Sequence, residues 1–412
     1  MWTRFHIKCK NCDKVTNLRI QIPEREQLPV KYNCLGCNSE IKALLTVDFN
    51  KASWDFKVER GELIDGEFMS GDYFYEFSDT LPTRPPSDQP HNTIMATLRM
   101  PTEELMALKE TKDQRKMFSD EDWQDLIDLT HAFSRFDKNV IERLSKKMLS
   151  GIYPDSILNF RIDLDYHRAY YSALNFMVYP WIDFNNHSEF VDWLNNNIFT
   201  SANKTNAEII NFVQNIVSDD LIQNLREEIS ELIIRFIGIR DLLYFAYNEK
   251  STTDSYVSVE GFVILKNFFT DCFEFIGRNS HLIFRLQNFK ERGMLDALPS
   301  GVPRNVSNAS DFAGLDNGRK LEILKLSTDV IPQKIYTKSF DNKIRNGINH
   351  YKAELNLKSQ MISYYPIKNR PEEEYRLKYI DFLNLTLDIF NSTLKFGQLI
   401  KFVTIYKVVL MP

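Results

Sequence analysis

The chain has no uninterrupted apolar run of about 18 residues or more, so no membrane partner is expected. The Met1-Trp2-Thr3-Arg4 start lacks the apolar stretch of a secretion signal. A cytoplasmic, reducing setting is therefore expected, and it favours metal binding over disulfides. A surplus of positive charge is also missing. The net charge is −5, which excludes a polycation and confines any nucleic-acid surface to a local basic patch. Histidine is scarce, and His131, His167 and His187 stand without partners at ligand spacing, which makes them structural or surface residues. The composition is otherwise that of a globular protein, and 412 residues allow two or three domains with ample core.

Cysteine is scarce but concentrated. Four of the five cysteines lie in the first 40 residues. They form two identical pairs, Cys9-Lys10-Asn11-Cys12 and Cys34-Leu35-Gly36-Cys37, with 21 residues between them. Each pair can present two thiolates from one tight turn, and two such turns close the tetrahedral shell that structural zinc prefers. Gly36 is placed where such a turn needs an unusual backbone angle. With Cys9, Cys12, Cys34 and Cys37 all engaged, no coordination position stays open, so the metal is expected to be structural. Extended segments at Val15–Ile22, Pro29–Asn33 and Ile41–Phe49 complete what looks like a zinc ribbon. Lys8, Lys10, Lys14, Arg19, Lys31 and Lys42 are available to phosphates, but Asp13, Glu24, Glu26 and Glu40 dilute that field, leaving a solvated surface and a nucleic-acid face equally open.

Further along, Trp54-Asp55-Phe56-Lys57-Val58-Glu59 alternates as a half-buried strand does, and Tyr73–Phe77 reads as another. Four prolines between Leu81 and Pro90 forbid regular structure and mark a linker over 79–93. The periodicity then becomes helical. Thr102 and Ser119 have the capping chemistry of helix starts, and the second helix is expected to run to about Met148. Segments 163–178 and 187–198 also read as helices. Asp219–Tyr247 carries apolar residues at threes and fours, the strongest helical signal in the chain. Helices over about Ser258–Ile276 and 280–292 follow. A loop reaches to about Gly318, and Leu321–Phe340 is mixed.

The run Arg345-Asn346-Gly347-Ile348-Asn349-His350 then places a permanent cation, an amide and an imidazole within six residues. Arginine can fork onto a phosphate, histidine can move a proton near neutral pH, and asparagine adds a neutral donor and acceptor. On a helix, residues five apart sit roughly 140° from each other, whereas Asn346 and His350 share a face better. Arg345 must therefore reach round, or a second copy must complete the cleft.

Arg-Asn, three residues, then His, entering a late helix, resembles the motif of HEPN domains (higher eukaryotes and prokaryotes nucleotide-binding). Met361–Tyr365 looks like the short extended piece that often follows, and Tyr379–Val403 like the closing helix. The resemblance implies a dimeric, metal-independent ribonuclease, similar to prokaryotic toxins and abortive-infection proteins of phage defence. It also implies an acidic or polar residue near the motif, for which Asp241, Glu231 and Glu228 are candidates. Tyr351 stands one residue after the histidine, not two as in nucleotidyl-acceptor variants, so that role is not carried over.

The expected architecture is mainly α: a zinc ribbon with a β extension over 1–78, the linker, a helical middle region over 94–205, and a HEPN-like helical domain over 206–412. The expected function is a cytoplasmic endoribonuclease with Arg345, Asn346 and His350 catalytic. RNA is its substrate, a second copy its partner, and an antitoxin or a phage-derived trigger its regulator. The alternatives are a non-catalytic nucleic-acid-binding protein and a dimerising scaffold.

Overall fold

A computed structural model describes residues 1–23, 25–79, 83–90, 117–154, 158–182, 184–197, 214, 218–243, 256–258, 261–292, 306–349, 353–367 and 373–410. The expected helix start at Thr102 and the interruption at Thr252–Asp254 lie outside the described residues. The chain forms two compact units. The first takes Met1–Arg115, Asp241–Ile264 and His350–Asn384; the second takes Lys116–Arg240, Leu265–Asn349 and Leu385–Pro412.

In the first unit, alternating sequence becomes sheet. β1 (Trp2–Lys8), β2 (Val15–Gln21), β6 (Glu62–Ile64) and β7 (Tyr73–Phe77) form one sheet in the order β6-β1-β2-β7. β3 (Gln27–Asn33), β4 (Glu40–Asp48) and β5 (Ser53–Arg60) form a second, in that order. The expected extended segments are all present; β1 and β6 are additional. Leu28, Val30 and Tyr32 of β3 and Ile41, Ala43, Leu45 and Val47 of β4 point inward at every second position, as the two-residue period requires. Pro29 lacks an N–H and sits on an edge strand, where a missing ladder bond costs least. The apolar faces of the two sheets meet in a single core holding Ile7, Leu18, Ile20, Phe56, Tyr75 and Phe77.

Tyr256 belongs to that core. Tyr75 donates its hydroxyl to the Tyr256 hydroxyl at 2.9 Å, and the backbones of Thr83 and Tyr256 exchange two hydrogen bonds. The proline-rich stretch is thus anchored in the first unit at Thr83, and at Ser87 by pairing with Phe74. A third small sheet, β8 (Glu354–Asn356), β9 (Met361–Tyr364) and β10 (Tyr375–Lys378), is antiparallel in the order β10-β9-β8.

The described part of the second unit is helical. Its elements are α1 (Asp120–Arg135), α2 (Lys138–Leu149), α3 (Asp163–Met177), a short 3₁₀ turn (Tyr179–Trp181), α4 (Phe184–Asn197) and α5 (Asp219–Leu243). They continue with α6 (Phe262–Arg292), α7 (Ala309–Ala313), α8 (Asn317–Leu326), α9 (Val330–Ile335), α10 (Asn342–Asn349) and α11 (Tyr379–Leu410). For α5, α6 and α11 the unit holds most, not all, of the length. Ser119 closes a reciprocal capping box with Asp122 at the start of α1. Phe236 stacks on Phe390 at 4.3 Å, Phe268 lies 5.4 Å from Phe390, and Phe275 lies 5.4 Å from Phe396. Each of these buried rings contributes about 1.5–3 kcal/mol by leaving water. Among the described residues, no helix is long and apolar enough to cross a membrane.

Three helical expectations need correction. The helix from Ser119 stops at Phe136, whose φ of 55° is left-handed, and Asp137 caps a new one through Val140 N. The two helices expected over 258–292 are one. Asn279 and Ser280 turn their side chains back onto the carbonyls of Phe275 and Gly277, so they bond within the helix and do not end it. The expected loop before Gly318 contains α7, capped by Asn308, and the start of α8.

Candidate metal centre and candidate catalytic site

The two cysteine pairs occupy the same place in two hairpins. Lys8 pairs with Val15 at the end of the β1–β2 ladder, and Asn33 pairs with Glu40 at the end of β3–β4, so each pair lies in a six-residue connection. In the first, Cys9 N donates to Lys14 O and Asp13 N to Cys9 O, both at 2.9 Å; in the second, Cys34 N donates to Ser39 O and Asn38 N to Cys34 O, at 2.9 and 2.8 Å. Asp13 (φ 57°) and Asn38 (φ 61°) take the left-handed position, which their short polar side chains tolerate. Gly36 is not the left-handed residue. Its lack of a side chain serves close approach: a Cβ there would stand 3.4 Å from Cys12 Sγ and 3.2 Å from the Tyr73 hydroxyl.

The four sulfurs lie within 4.8 Å of one another. Cys9–Cys37 and Cys12–Cys34 are each 3.6 Å apart. A tetrahedral shell with metal–sulfur bonds of ~2.3 Å has edges of ~3.8 Å, so the donor set fits such an ion. Cys9 and Cys34 are buried in the sheet core, and Cys37 is exposed. Ser39 Oγ lies 3.2 Å from Cys37 Sγ and accepts from Asn11 Nδ2 at 2.6 Å, which ties one hairpin loop to the other outside the sulfurs. The hydrogen bonds from Ser39 hold the Cys37 thiol down to about 6, despite some desolvation.

Basic side chains around this cluster are mostly neutralised. Lys8 meets Asp13 at 2.8 Å, Lys14 meets Asp72 at 2.8 Å, and Arg19 meets Glu76 at 3.0 Å. Lys31 and Lys42 share Glu40, at 3.2 and 3.4 Å. Among the described residues, Lys10 is the one of the six bases expected to face phosphates that has no acid within ion-pair distance.

The second site gathers residues far apart in the chain. Arg345, on α10, directs Nε (2.8 Å) and Nη2 to one oxygen of Glu274 on α6, and Nη1 to Asn346 Oδ1 at 2.8 Å. The other Glu274 oxygen accepts from Asn317 Nδ2 of α8 at 2.6 Å. Two contacts set these helices close enough. A Cβ on Gly277 would come within 2.7 Å of Asn317 Cβ, so glycine is what lets α8 approach α6. Asn342, first residue of α10, donates to Gly318 O at 2.9 Å and Glu322 Oε1 at 3.0 Å, fastening α10 to α8.

Arg345 and Glu274 are about one-fifth and one-quarter exposed. Of the five guanidinium N–H groups, three are used by Glu274 and Asn346; among the described residues, one on each Nη has no acceptor. His350 lies outside the described residues.

The carboxylate that meets the motif arginine is none of the three sequence candidates. Glu228 pairs with Arg278 at 3.1 Å, Asp241 stands 3.8 Å from Arg25, and Glu231 is exposed. In sequence, Glu274 shares the otherwise apolar run Phe268–Ile276 with a second acid, Asp271, which meets Arg235 at 2.5 Å; an acid in such a run needs a partner, but the run does not say which of the two serves the motif. Compared with known proteins, the chain matches no family model, no curated protein and no solved structure.

Proposed function

We propose that this protein is a metal-independent endoribonuclease of the HEPN type, a toxin or antiphage effector acting in the cytoplasm, whose cysteine cluster holds one structural zinc. The observation that carries the reading is the arginine of the Arg345-Asn346…His350 motif. It is half-buried, is fixed by Glu274 and Asn346 and, among the described residues, retains an N–H on each terminal nitrogen. A guanidinium held in that way can stabilise charge building on a scissile phosphate without reorganising. His350 moves the proton of the ribose 2′-hydroxyl or of the leaving group, and Asn346 holds the guanidinium in register. Attack by the 2′-oxygen leaves a 2′,3′-cyclic phosphate and a 5′-hydroxyl. Zinc, when bound by Cys9, Cys12, Cys34 and Cys37, supplies a cross-link between two hairpins and takes no part in cleavage.

Purified protein incubated with total RNA during a short EDTA exposure tests this. Cleavage should yield 5′-hydroxyl ends, spare DNA, and fall about 10²–10⁴-fold in His350→Ala. Equal cutting by both proteins, or binding without cutting, replaces the reading with a nucleic-acid-binding module. A second copy is proposed to complete the cleft, because residues five apart on a helix, as Arg345 and His350 would be, face roughly 140° from each other. Light scattering should find a dimer at micromolar concentration; a strict monomer that still cleaves refutes this part.

The other reading is a scaffold in which Arg345–Glu274 is only a structural pair. The observation favouring it is that Glu274 already occupies the Nε side of the guanidinium. A wild-type protein that cuts no RNA, and whose Arg345→Ala variant loses stability alone, would establish it.

A further inference from the structure

The second unit contains a cavity of about 30 Å³, lined by residues of α1, α3, α5 and α11. Two cations line it: Arg226 of α5 and Lys401 of α11. Arg226 lies over the rings of Phe133 and Phe136, 5.4 and 5.1 Å from their centroids, and its polar contact is to Gln223 Oε1 at 3.3 Å. Lys401 Nζ sits 4.3 Å over the Tyr171 ring. Among the described residues, neither reaches a carboxylate within ion-pair distance. The acids closest in influence are turned elsewhere: Asp163 to Lys138 at 2.6 Å, and Glu227 to Gln223 at 2.5 Å.

His167 of α3 also lines the cavity. It is only 5% exposed, and its Nδ1 has no hydrogen-bond partner among the described residues. Burial, reinforced by Arg226 and Lys401, pushes its pKa down to about 4. Burial alone lowers Lys401 to about 8. Tyr170 and Ser230 also line it.

Two like charges withdrawn from water are costly unless something of opposite sign joins them. Ammonium and guanidinium are donors only, and the imidazole and hydroxyls can donate as well. A single oxygen acceptor would leave most of these donors unused. We infer that this cavity binds a small inorganic oxyanion of the phosphate class, held by Arg226 and Lys401 and hydrogen-bonded by His167 and Ser230. The space is small, and the two cations and the donors around it suit a free anion. The site is separate from Arg345 and stands whether or not the protein cleaves RNA.

Calorimetric titration of the full chain with inorganic phosphate tests it, with thermal unfolding read in parallel. Wild type should bind one phosphate per chain saturably and unfold at a higher temperature as phosphate rises. Lys401→Met and Arg226→Met should each weaken binding at least tenfold, while Arg345→Ala leaves it unchanged. In phosphate-free buffer, Lys401→Met should unfold at a higher temperature than wild type, because one of two repelling charges is gone. If either cation variant fails to fold, Ser230→Ala should still weaken binding several-fold. Absence of saturable binding by wild type overturns the inference. So does binding lost in Arg345→Ala, or equal stabilisation by chloride.

Discussion

The cysteine cluster and the Arg345 site teach opposite lessons about how chemistry is brought together. The first is local twice over: each cysteine pair is held by its own hairpin, and only the meeting of two hairpins is tertiary. The second has no local half. Glu274, Asn317 and Arg345 come from three helices, and what joins them is the close approach allowed at Gly277 and the fastening of Asn342 to Gly318. A cross-link should be the strongest element of the first site, whereas pre-positioning should be that of the second.

The most severe way to break this contrast is at the cysteines. Cys34→Ser leaves three thiolates for an ion that binds four, and metal-linked folding in small zinc domains is worth on the order of 10 kcal/mol. Elemental analysis should find one zinc per wild-type chain and far less in the variant. Hydrogen exchange should show residues 1–79 losing protection while α6 keeps it. A metal-free protein with an intact N-terminal sheet core would remove the basis for the contrast.

Glu274→Ala should leave the fold standing yet free the guanidinium, and a reacting group displaced by about 1 Å costs on the order of 10²-fold in rate. Cleavage should fall by about that much, with stability lowered by only ~1–3 kcal/mol for the lost charged hydrogen bonds. Glu274→Gln should recover part of the rate, because the amide oxygen still accepts from Arg345. Activity unchanged in Glu274→Ala would reduce the pair to a surface salt bridge.

Acid sharpens the comparison most gently. Burial, reinforced by nearby cations, holds His167 and His187 at about 4, against an ordinary value of 6.5. The unfolded chain therefore takes up protons that the folded chain refuses. Stability is complete above pH 6.5 and is lost as the pH falls towards 4, by about 1.4 kcal/mol per pH unit for each histidine. Urea midpoints at pH 7 and pH 5 should differ accordingly in the second unit, and His167→Gln should remove about half of the slope. A flat profile would mean that neither imidazole is buried neutral.

How far sequence reached follows from the same division. β2 to β5, β7 and the four clustered cysteines were readable because two-residue alternation and Cys-x-x-Cys spacing act over a few residues. Phe136 was not readable as a helix end, since an aromatic residue gives no left-handed signal of the kind glycine gives. Gly277-Arg278-Asn279-Ser280 read as a break because backbone-competing side chains usually end helices; here they bond to their own preceding turn. Arg345 and Asn346 were visible as a motif, but the partner that holds the arginine lies 71 residues earlier. No short-range pattern singles out Glu274 from the exposed acids of α5.

The tyrosine pair has a consequence for synthesis. Tyr75 and Tyr256 are 181 residues apart, yet their hydroxyls share one hydrogen bond inside the N-terminal core. At about 5–20 residues per second, the ribosome delivers the second tyrosine roughly 9–36 seconds after the first. Until then both sheets have been made, but the interior face of Tyr75 and Tyr32 has no cover from residue 256. A nascent chain of this protein thus carries an unfinished apolar surface through nearly half of its elongation, and a fragment cut after β7 would carry it permanently.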